Sequence, residues 1–259
     1  MQVDLHNHTT LCNHATGSIT EYVENAIKKN INIFGFSDHA PMNFDTKYRM
    51  NFDQMRWYEN EVKRVKKIYQ NRIEILLGYE VDYLPNYIDK RVLDSNVDYL
   101  IGSVHFINKW GFDNPEFIGV YKNQSIDKIW EDYFYLIENM AKDNLFDIVG
   151  HLDLIKVFKF MPKKDIRLIA KKALRAIKKS GMSIELNGAG LRKPINQIYP
   201  SDILLDEIAF MNIPITFGND AHSVDQVGMF NKELVNKAKS FGYTQCVTYQ
   251  QRNSKMIKI

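Results

Sequence analysis

Each of the seven histidines in this chain stands where it could face a metal ion, which leaves none for ordinary structural duty. His6 and His8 lie in Asp4-Leu5-His6-Asn7-His8, and His14 follows in the next loop. His39 closes Ser37-Asp38-His39, His105 closes Gly102-Ser103-Val104-His105, His151 sits in Gly150-His151-Leu152-Asp153, and His222 ends Asn219-Asp220-Ala221-His222. Alternate residues of an extended strand face one side, so His6 and His8 can offer both rings to one ion. Asp220 and His222 repeat that spacing, and Glu80 closes the apolar run Ile73-Glu74-Ile75-Leu76-Leu77-Gly78-Tyr79. Imidazoles mixed with carboxylates suit zinc, manganese or iron, and a carboxylate can bridge two ions held close together. Such a set is too large for a single ion and points to a metalloenzyme.

Most of these residues follow a short apolar, β-branched run, so they read as ligands at strand ends. Candidate strands are 2–6, 31–36, 74–80, 99–103, 148–150, 182–187 and 213–217, with 245–249 as a last extended piece. Helical patterns fill most of the gaps: 22–29, 52–70, 126–142, 163–179, 202–211 and 232–240. Ser18 and Glu21 have the spacing of a capping box, and Pro162 and Gly181 bracket the fourth helix as starter and stopper. Alternating strand and helix predicts a parallel sheet. Ligands spread over so many strand ends predict a barrel, which gathers every carboxyl end around one mouth, whereas an open sheet gathers only those near its switch point.

A length of 259 residues with 45% hydrophobic content suits one domain over 1–259 with a single large core. Cys12 and Cys246 are too few for a disulfide framework, and Cys12 reads as a small packed thiol. A net charge of +3 gives no support for a nucleic-acid tract or a membrane-surface patch, and the lysines of 163–180 mostly fall on the polar side of a helix. With Asp4 and His6 so early and no long apolar run later, the expected location is cytoplasmic. Oligomeric state leaves no mark on the sequence.

The ordered set His-x-His, loop histidine, Ser-Asp-His, a glutamate after the third strand, Gly-Ser-Val-His, Gly-His-Leu-Asp and Asn-Asp-Ala-His, from Asp4 to His222, resembles the PHP (polymerase and histidinol phosphatase) superfamily. The resemblance implies a distorted seven-stranded (β/α) barrel holding three divalent metal ions. It implies a first ion on His6, His8, Glu80 and Asp220, a second on Glu80, His105 and His151, and a third on His14, His39 and His222. The stretches 102–117, 150–158 and 185–201 are most similar to the histidinol-phosphate phosphatases of that family. They imply a small phosphate ester, L-histidinol phosphate, as substrate, with a nucleotide, an oligonucleotide end or another small phosphate ester as the alternative.

The implied chemistry is phosphomonoester hydrolysis. Metal ions neutralise phosphate oxygens and lower the pKa of bound water toward about 7, so a hydroxide bridging the first two ions would attack phosphorus in line while the third holds a phosphate oxygen. Arg192, just beyond the sixth strand, is the leading candidate for a phosphate clamp, because a guanidinium meets two oxygens at once; Lys156 is second. Asp4, Asp38 and Asp153 lie beside metal-site histidines and are candidates for orienting the second ring nitrogen, with Asp38 or Asp153 also candidate general acids. The aromatic segment 106–121, with Phe106 and Trp110 foremost, reads as a loop over the mouth whose rings accept an imidazole while an acidic residue pairs with the substrate ammonium.

Overall fold

The structure is a computed structural model describing all residues, 1–259. In chain order the strands are β1 (Val3–Asp4), β2 (Ile33–His39), β3 (Glu74–Asp82), β4 (Tyr99–Ser103), a small hairpin β5 (Phe106–Ile107) and β6 (Trp110–Gly111), then β7 (Ile148–Val149), β8 (Ser183–Asn187), β9 (Ile215–Gly218) and a C-terminal hairpin β10 (Gln245–Gln250) and β11 (Asn253–Lys258). The helices are α1 (Ile19–Lys28), α2 (Met55–Tyr69), α3 (Lys90–Leu93), α4 (Ile126–Asp143), α5 (Ile166–Ser180), α6 (Asp202–Phe210) and α7 (Asn231–Ser240).

Seven strands form one parallel sheet in the order β1-β2-β3-β4-β7-β8-β9. Its edges meet, because the Leu5 amide donates to the Phe217 carbonyl at 2.8 Å and Asn7 bridges Ala221 in parallel. The sheet is therefore a nearly closed (β/α) barrel whose strands are buried on both faces, as continuous runs such as Ile33 to Asp38 require. Helices supply the outer layer with one apolar face each. Val62, Val65 and Tyr69 of α2 are buried, while Lys63, Arg64 and Lys67 of the same helix are largely exposed.

Two helix boundaries show local chemistry at work. The capping box at α1 is present, with Ser18 accepting from the Glu21 amide and the Glu21 carboxylate accepting from the Ser18 amide. Gly181, at φ 80°, ends α5 as expected, but Pro162 does not start it. The Asp127 carboxylate takes the Lys163 and Lys164 amides, and Asp165 caps the helix at the Arg167 amide, so helical backbone begins only at Ile166. The β5–β6 hairpin turns at Asn108 and Lys109, both with positive φ, and carried no Asn-Gly signal that would have revealed it. The β10–β11 hairpin covers the barrel end opposite the histidines, where the Tyr249 hydroxyl bonds Ser183 Oγ at 2.8 Å and the Asp147 carbonyl at 2.9 Å.

Tyr99 of β4 organises the barrel interior below the histidines. Its hydroxyl donates to the Leu5 carbonyl at 2.6 Å, joining β4 to the strand across the barrel. Glycines make room for it: a Cβ at Gly35 would lie 2.1 Å from the Tyr99 hydroxyl, and one at Gly78 would lie 2.6 Å from its ring. Tyr99→Phe should cost about 1–2 kcal/mol, the loss of a buried hydrogen bond. Gly35→Ala should cost more in the native background than in Tyr99→Phe, since removing the hydroxyl relieves the worst overlap; urea denaturation of the double-mutant cycle measures that coupling.

Candidate metal centre

Strand register explains how the histidines converge. Along β3 the parity that points Gly78 into the barrel also points Glu80 and Asp82 inward at the carboxyl end. Glu80, 1% exposed, stands at the centre. Its Oε2 is 3.0 Å from His39 Nδ1, 3.3 Å from His6 Nε2 and 3.6 Å from His8 Nε2; its Oε1 is 2.9 Å from His151 Nε2 and 3.6 Å from His105 Nε2. Asp220 Oδ1 lies 3.0 Å from His8 Nε2 and 3.9 Å from His6 Nε2. His14, His39 and His222 form an adjoining group, with His8 and His222 stacked at 4.0 Å between ring centroids.

These contacts have the spacing of ligands around cations. Two ligand atoms each about 2.0–2.1 Å from one ion at a tetrahedral angle stand about 3.3 Å apart. His6 Nε2, His8 Nε2, His39 Nδ1 and His222 Nε2 are buried and make no aligned hydrogen bond, two of them despite a carboxylate oxygen at 3.0 Å, and a buried polar atom left so is costly unless something binds it. Three groups of ligand atoms each lie within one ion's reach: His6, His8 and Glu80; Glu80, His105 and His151; His14, His39 and His222. Asp220 adjoins the first through His8, and Cys12 forms a further group with His8 and His222 while donating its thiol to the Thr9 carbonyl at 3.1 Å.

The opposite ring nitrogens are fixed from behind. Glu185 accepts from His6 Nδ1 at 2.8 Å, Asp82 from His105 Nδ1 at 2.7 Å, and Asp38 lies 3.3 Å from His8 Nδ1. Backbone carbonyls of Cys12 and Asp220 hold His14 Nδ1 at 2.7 Å and His222 Nδ1 at 3.0 Å. Glu185 also takes the His151 amide at 2.9 Å and Asn187 Nδ2 at 3.0 Å, so it spans two groups. It packs so closely that a Cβ at Gly218 would lie 1.9 Å from its Oε1. His151 and Asp220 have φ of 20° and 52°, a backbone region L residues rarely adopt and one that clusters at functional sites.

Above this floor lies a cavity of about 550 Å³. Its wall includes Arg49, Phe106, Asp113, Phe117, Arg192 and Tyr199. Arg192 Nη2 is committed to the Asn219 and Asp220 carbonyls at 2.7 and 2.9 Å, while its Nη1 is buried without a partner. The two-pronged grip expected of this guanidinium is thus partly spent on the backbone, leaving Nη1 free.

A chain with this barrel and this cluster can be set beside known proteins. The PHP domain profile matches residues 4–189. The chain belongs to the PHP family. A Deinococcus radiodurans protein named "Probable histidinol-phosphatase" is 35% identical over 96% of both chains, and the Bacillus subtilis histidinol-phosphatase is 31% identical over 87% of this chain and 95% of its own. The crystal structure of histidinol phosphate phosphatase from Lactococcus lactis, complexed with zinc, L-histidinol and phosphate, matches with a TM-score of 0.81 over 98% of both chains at 18% identity, a likeness of fold.

Several candidate residues of this PHP chain lie elsewhere than expected. Lys156 is fully buried, paired with Asp153 at 2.9 Å and bonded to the Ile198 carbonyl at 2.8 Å, so it does not reach the cavity as a phosphate clamp. Asp153 holds that lysine and the Ser201 amide and orients no histidine; its burial away from the cavity also removes it as a proton donor. Asp4 accepts from the Asn219 and Gly228 amides, tying the β9 loop to β1 instead of holding an imidazole. Asp38 does orient His8, but it also takes the His39 amide at 2.9 Å and the Thr9 hydroxyl, which leaves it a positioning role and no free oxygen for acid catalysis. Trp110 stands edge-on to Tyr121 outside the cavity, whereas Phe106 lines it. Glu185 and Asp82 escaped the sequence reading; the only signal was their inward parity on strands that carry ligands or lead toward them.

Charge in the cluster is divided unevenly. Burial opposes a charged ring at His6 and His8, yet Glu185, Glu80 and Asp220 around the first and Asp220 and Asp38 around the second raise both well above the ordinary histidine value. At His105, burial is likewise outweighed by Asp82 and Glu80, which raise it to about 10. Raised values mean bound protons at neutral pH, and a cation taking those nitrogens must displace them. Metal affinity should therefore rise with pH across the range 6–9, with protons released on binding, measured by calorimetry in buffers of different ionisation heat. Glu185→Gln should weaken metal retention about 10-fold or more through loss of the carboxylate behind His6, read as metal content after dialysis against graded chelator.

Proposed function

We propose that this chain is a metal-dependent phosphomonoesterase that hydrolyses L-histidinol phosphate to L-histidinol and inorganic phosphate in histidine biosynthesis. The observation that carries this reading is one cavity of about 550 Å³, sized for a small ester, whose floor is the Glu80 cluster and whose wall holds the unpartnered Arg192 Nη1. The names of the Deinococcus radiodurans and Bacillus subtilis relatives support the substrate. Under this proposal three divalent ions, zinc, manganese or iron, are held by His6, His8, Glu80 and Asp220, by Glu80, His105 and His151, and by His14, His39 and His222. Such ions supply charge neutralisation and an activated water.

The chain's own residues do the rest. Glu185, Asp82 and Asp38 keep the ring nitrogens of His6, His105 and His8 aimed into the cluster, so no reorientation is needed during turnover. Arg192, fixed by two carbonyls, offers Nη1 to a phosphate oxygen from a preset position. Phe106 and Phe117 give the wall an apolar side for the imidazole. No helix is long and apolar enough to cross a membrane, and a cytoplasmic site of action is part of the proposal.

Phosphate release from L-histidinol phosphate, compared with nucleotide and sugar phosphates on a preparation of known metal content, tests the reading. A preference in kcat/KM for L-histidinol phosphate that chelation abolishes is expected; a stronger preference for a nucleotide or another ester would overturn the substrate. Arg192→Ala should lower kcat/KM about 10- to 100-fold with metal content unchanged, the loss of one charged hydrogen bond to phosphate.

A further inference from the structure

Five carboxylates line the cavity, and four have partners. Asp45 pairs with Arg49 at 3.3 Å, Asp82 with Arg49 at 2.6 Å and His105 at 2.7 Å, Glu80 is ringed by imidazoles, and Asp220 meets His8 at 3.0 Å. Asp113 is the exception. It accepts no side-chain hydrogen bond and makes no ion pair, although His105, His151 and Lys193 line the same cavity. The Nε2 atoms of those two histidines turn toward Glu80 instead, and His105 Nδ1 is held by Asp82. A half-buried carboxylate in a cavity built to receive a phosphate is costly to desolvate and repels the substrate's anionic end. It is unfavourable unless the ligand brings a cation of its own.

We propose that Asp113 is a specificity residue of this site, reading an ammonium on the carbon next to the phosphate-bearing carbon of the ester. The inference rests on the phosphomonoesterase reading and narrows it to phosphate esters of amino alcohols. Connectivity sets where such a cation must lie. In a 2-amino alkyl phosphate the amine stands two carbons from the ester oxygen, so with phosphorus at the histidine cluster the ammonium stays close to it. Asp113 lines the same cavity as His105 and His151, whereas Asp45 is already neutralised by Arg49.

The surrounding segment is built to hold the carboxylate still. Asp113 follows the β5–β6 hairpin and precedes the 3-10 turn of Pro115–Asn123, with the Asn114 side chain capping that turn at the Glu116 amide. Tyr121, stacked on Phe160 and bonded to the Phe112 carbonyl at 3.2 Å, anchors the segment from behind. Phe106 and Phe117 flank it in the wall. One short stretch of chain thus offers an anion and two rings, the complement of an ammonium and a flat heterocycle.

Asp113→Asn keeps the shape and removes the charge. The test compares L-histidinol phosphate with its deamino analogue, 3-(imidazol-4-yl)propyl phosphate, in parent and variant at matched metal content. The parent should favour the aminated ester. In the variant KM for that ester should rise about 10- to 100-fold, the loss of one charge-assisted contact, with kcat nearly kept and the deamino ester unaffected. Inhibition by L-histidinol should weaken by the same factor while inhibition by inorganic phosphate stays unchanged. Equal damage to both esters, loss of metal in the variant, or unchanged kinetics would each overturn the role. If the parent hydrolyses other esters but not L-histidinol phosphate, the substrate assignment fails alone. Phosphoethanolamine against ethyl phosphate then decides Asp113, and a parent indifferent to the amine overturns it.

Discussion

The structure depends on how a buried anion, Glu80, is kept company. A carboxylate with 1% exposure is costly to remove from water, and no lysine or arginine approaches this one. Imidazoles surround it instead, five of them within 3.6 Å of its two oxygens. They cannot all carry protons, because close rings such as His8 and His39, 4.4 Å apart between centroids, repel when charged. The cluster therefore splits. His6, His8 and His105 are pushed toward the protonated form, while burial and the neighbouring positive rings push His39 and His222 well below the usual histidine range. Bound metal ions would relieve both problems together, answering the carboxylate's charge and occupying nitrogens that otherwise lack partners.

That compensation works only if the nitrogens stay aimed, and the barrel supplies the rigidity. Parallel strands bonded along their length fix the backbone beneath Glu80 and Glu185, and the closing contact of Leu5 with Phe217 fixes His6 relative to β9. Close approach is part of the design: with no Cβ at Gly218, Glu185 reaches under His6. Tyr99 serves the same end one layer lower by joining β4 to Leu5 across the interior. Each device trades conformational freedom for position, and position lets neutral nitrogens and carboxylates act as ligands without rearranging.

The candidate ligands were legible in the sequence because strand chemistry and ligand chemistry use different residues. An apolar β-branched run ending in histidine or glutamate marks both a buried strand and the point where it stops being hydrophobic, and β2, β3 and β4 all read this way. Fold class followed, since many strand ends carrying ligands require a barrel. Residues behind the ligands were legible only in part: Asp38, read from its place beside His39, does hold a ring, that of His8. Asp4 and Asp153 sit two residues from a histidine in sequence, yet Asp4 serves the β9 loop and Asp153 a buried lysine, because side-chain direction turns with parity and with the irregular backbone after His151. Glu185 and Asp82 do the expected work from strands distant in sequence, and nothing local distinguishes them from other inward polar residues.

The division between floor and wall shapes how such a site can vary. The candidate metal ligands project from strand ends, where a substitution disturbs the barrel's hydrogen bonding and the charge balance around Glu80 together. The wall from Phe106 to Tyr121 hangs on its own anchors, Tyr121 against Phe160 and Trp110 edge-on to Tyr121, and bonds the floor through backbone, the Phe112 amide donating to the His105 carbonyl at 3.3 Å. Changing a wall residue therefore alters which leaving group is accommodated at little cost to the metals, whereas changing a residue behind a histidine alters the metals for every substrate. Phosphate chemistry and leaving-group choice are in this way physically separable, since they draw on different elements, different anchors and different signs of charge.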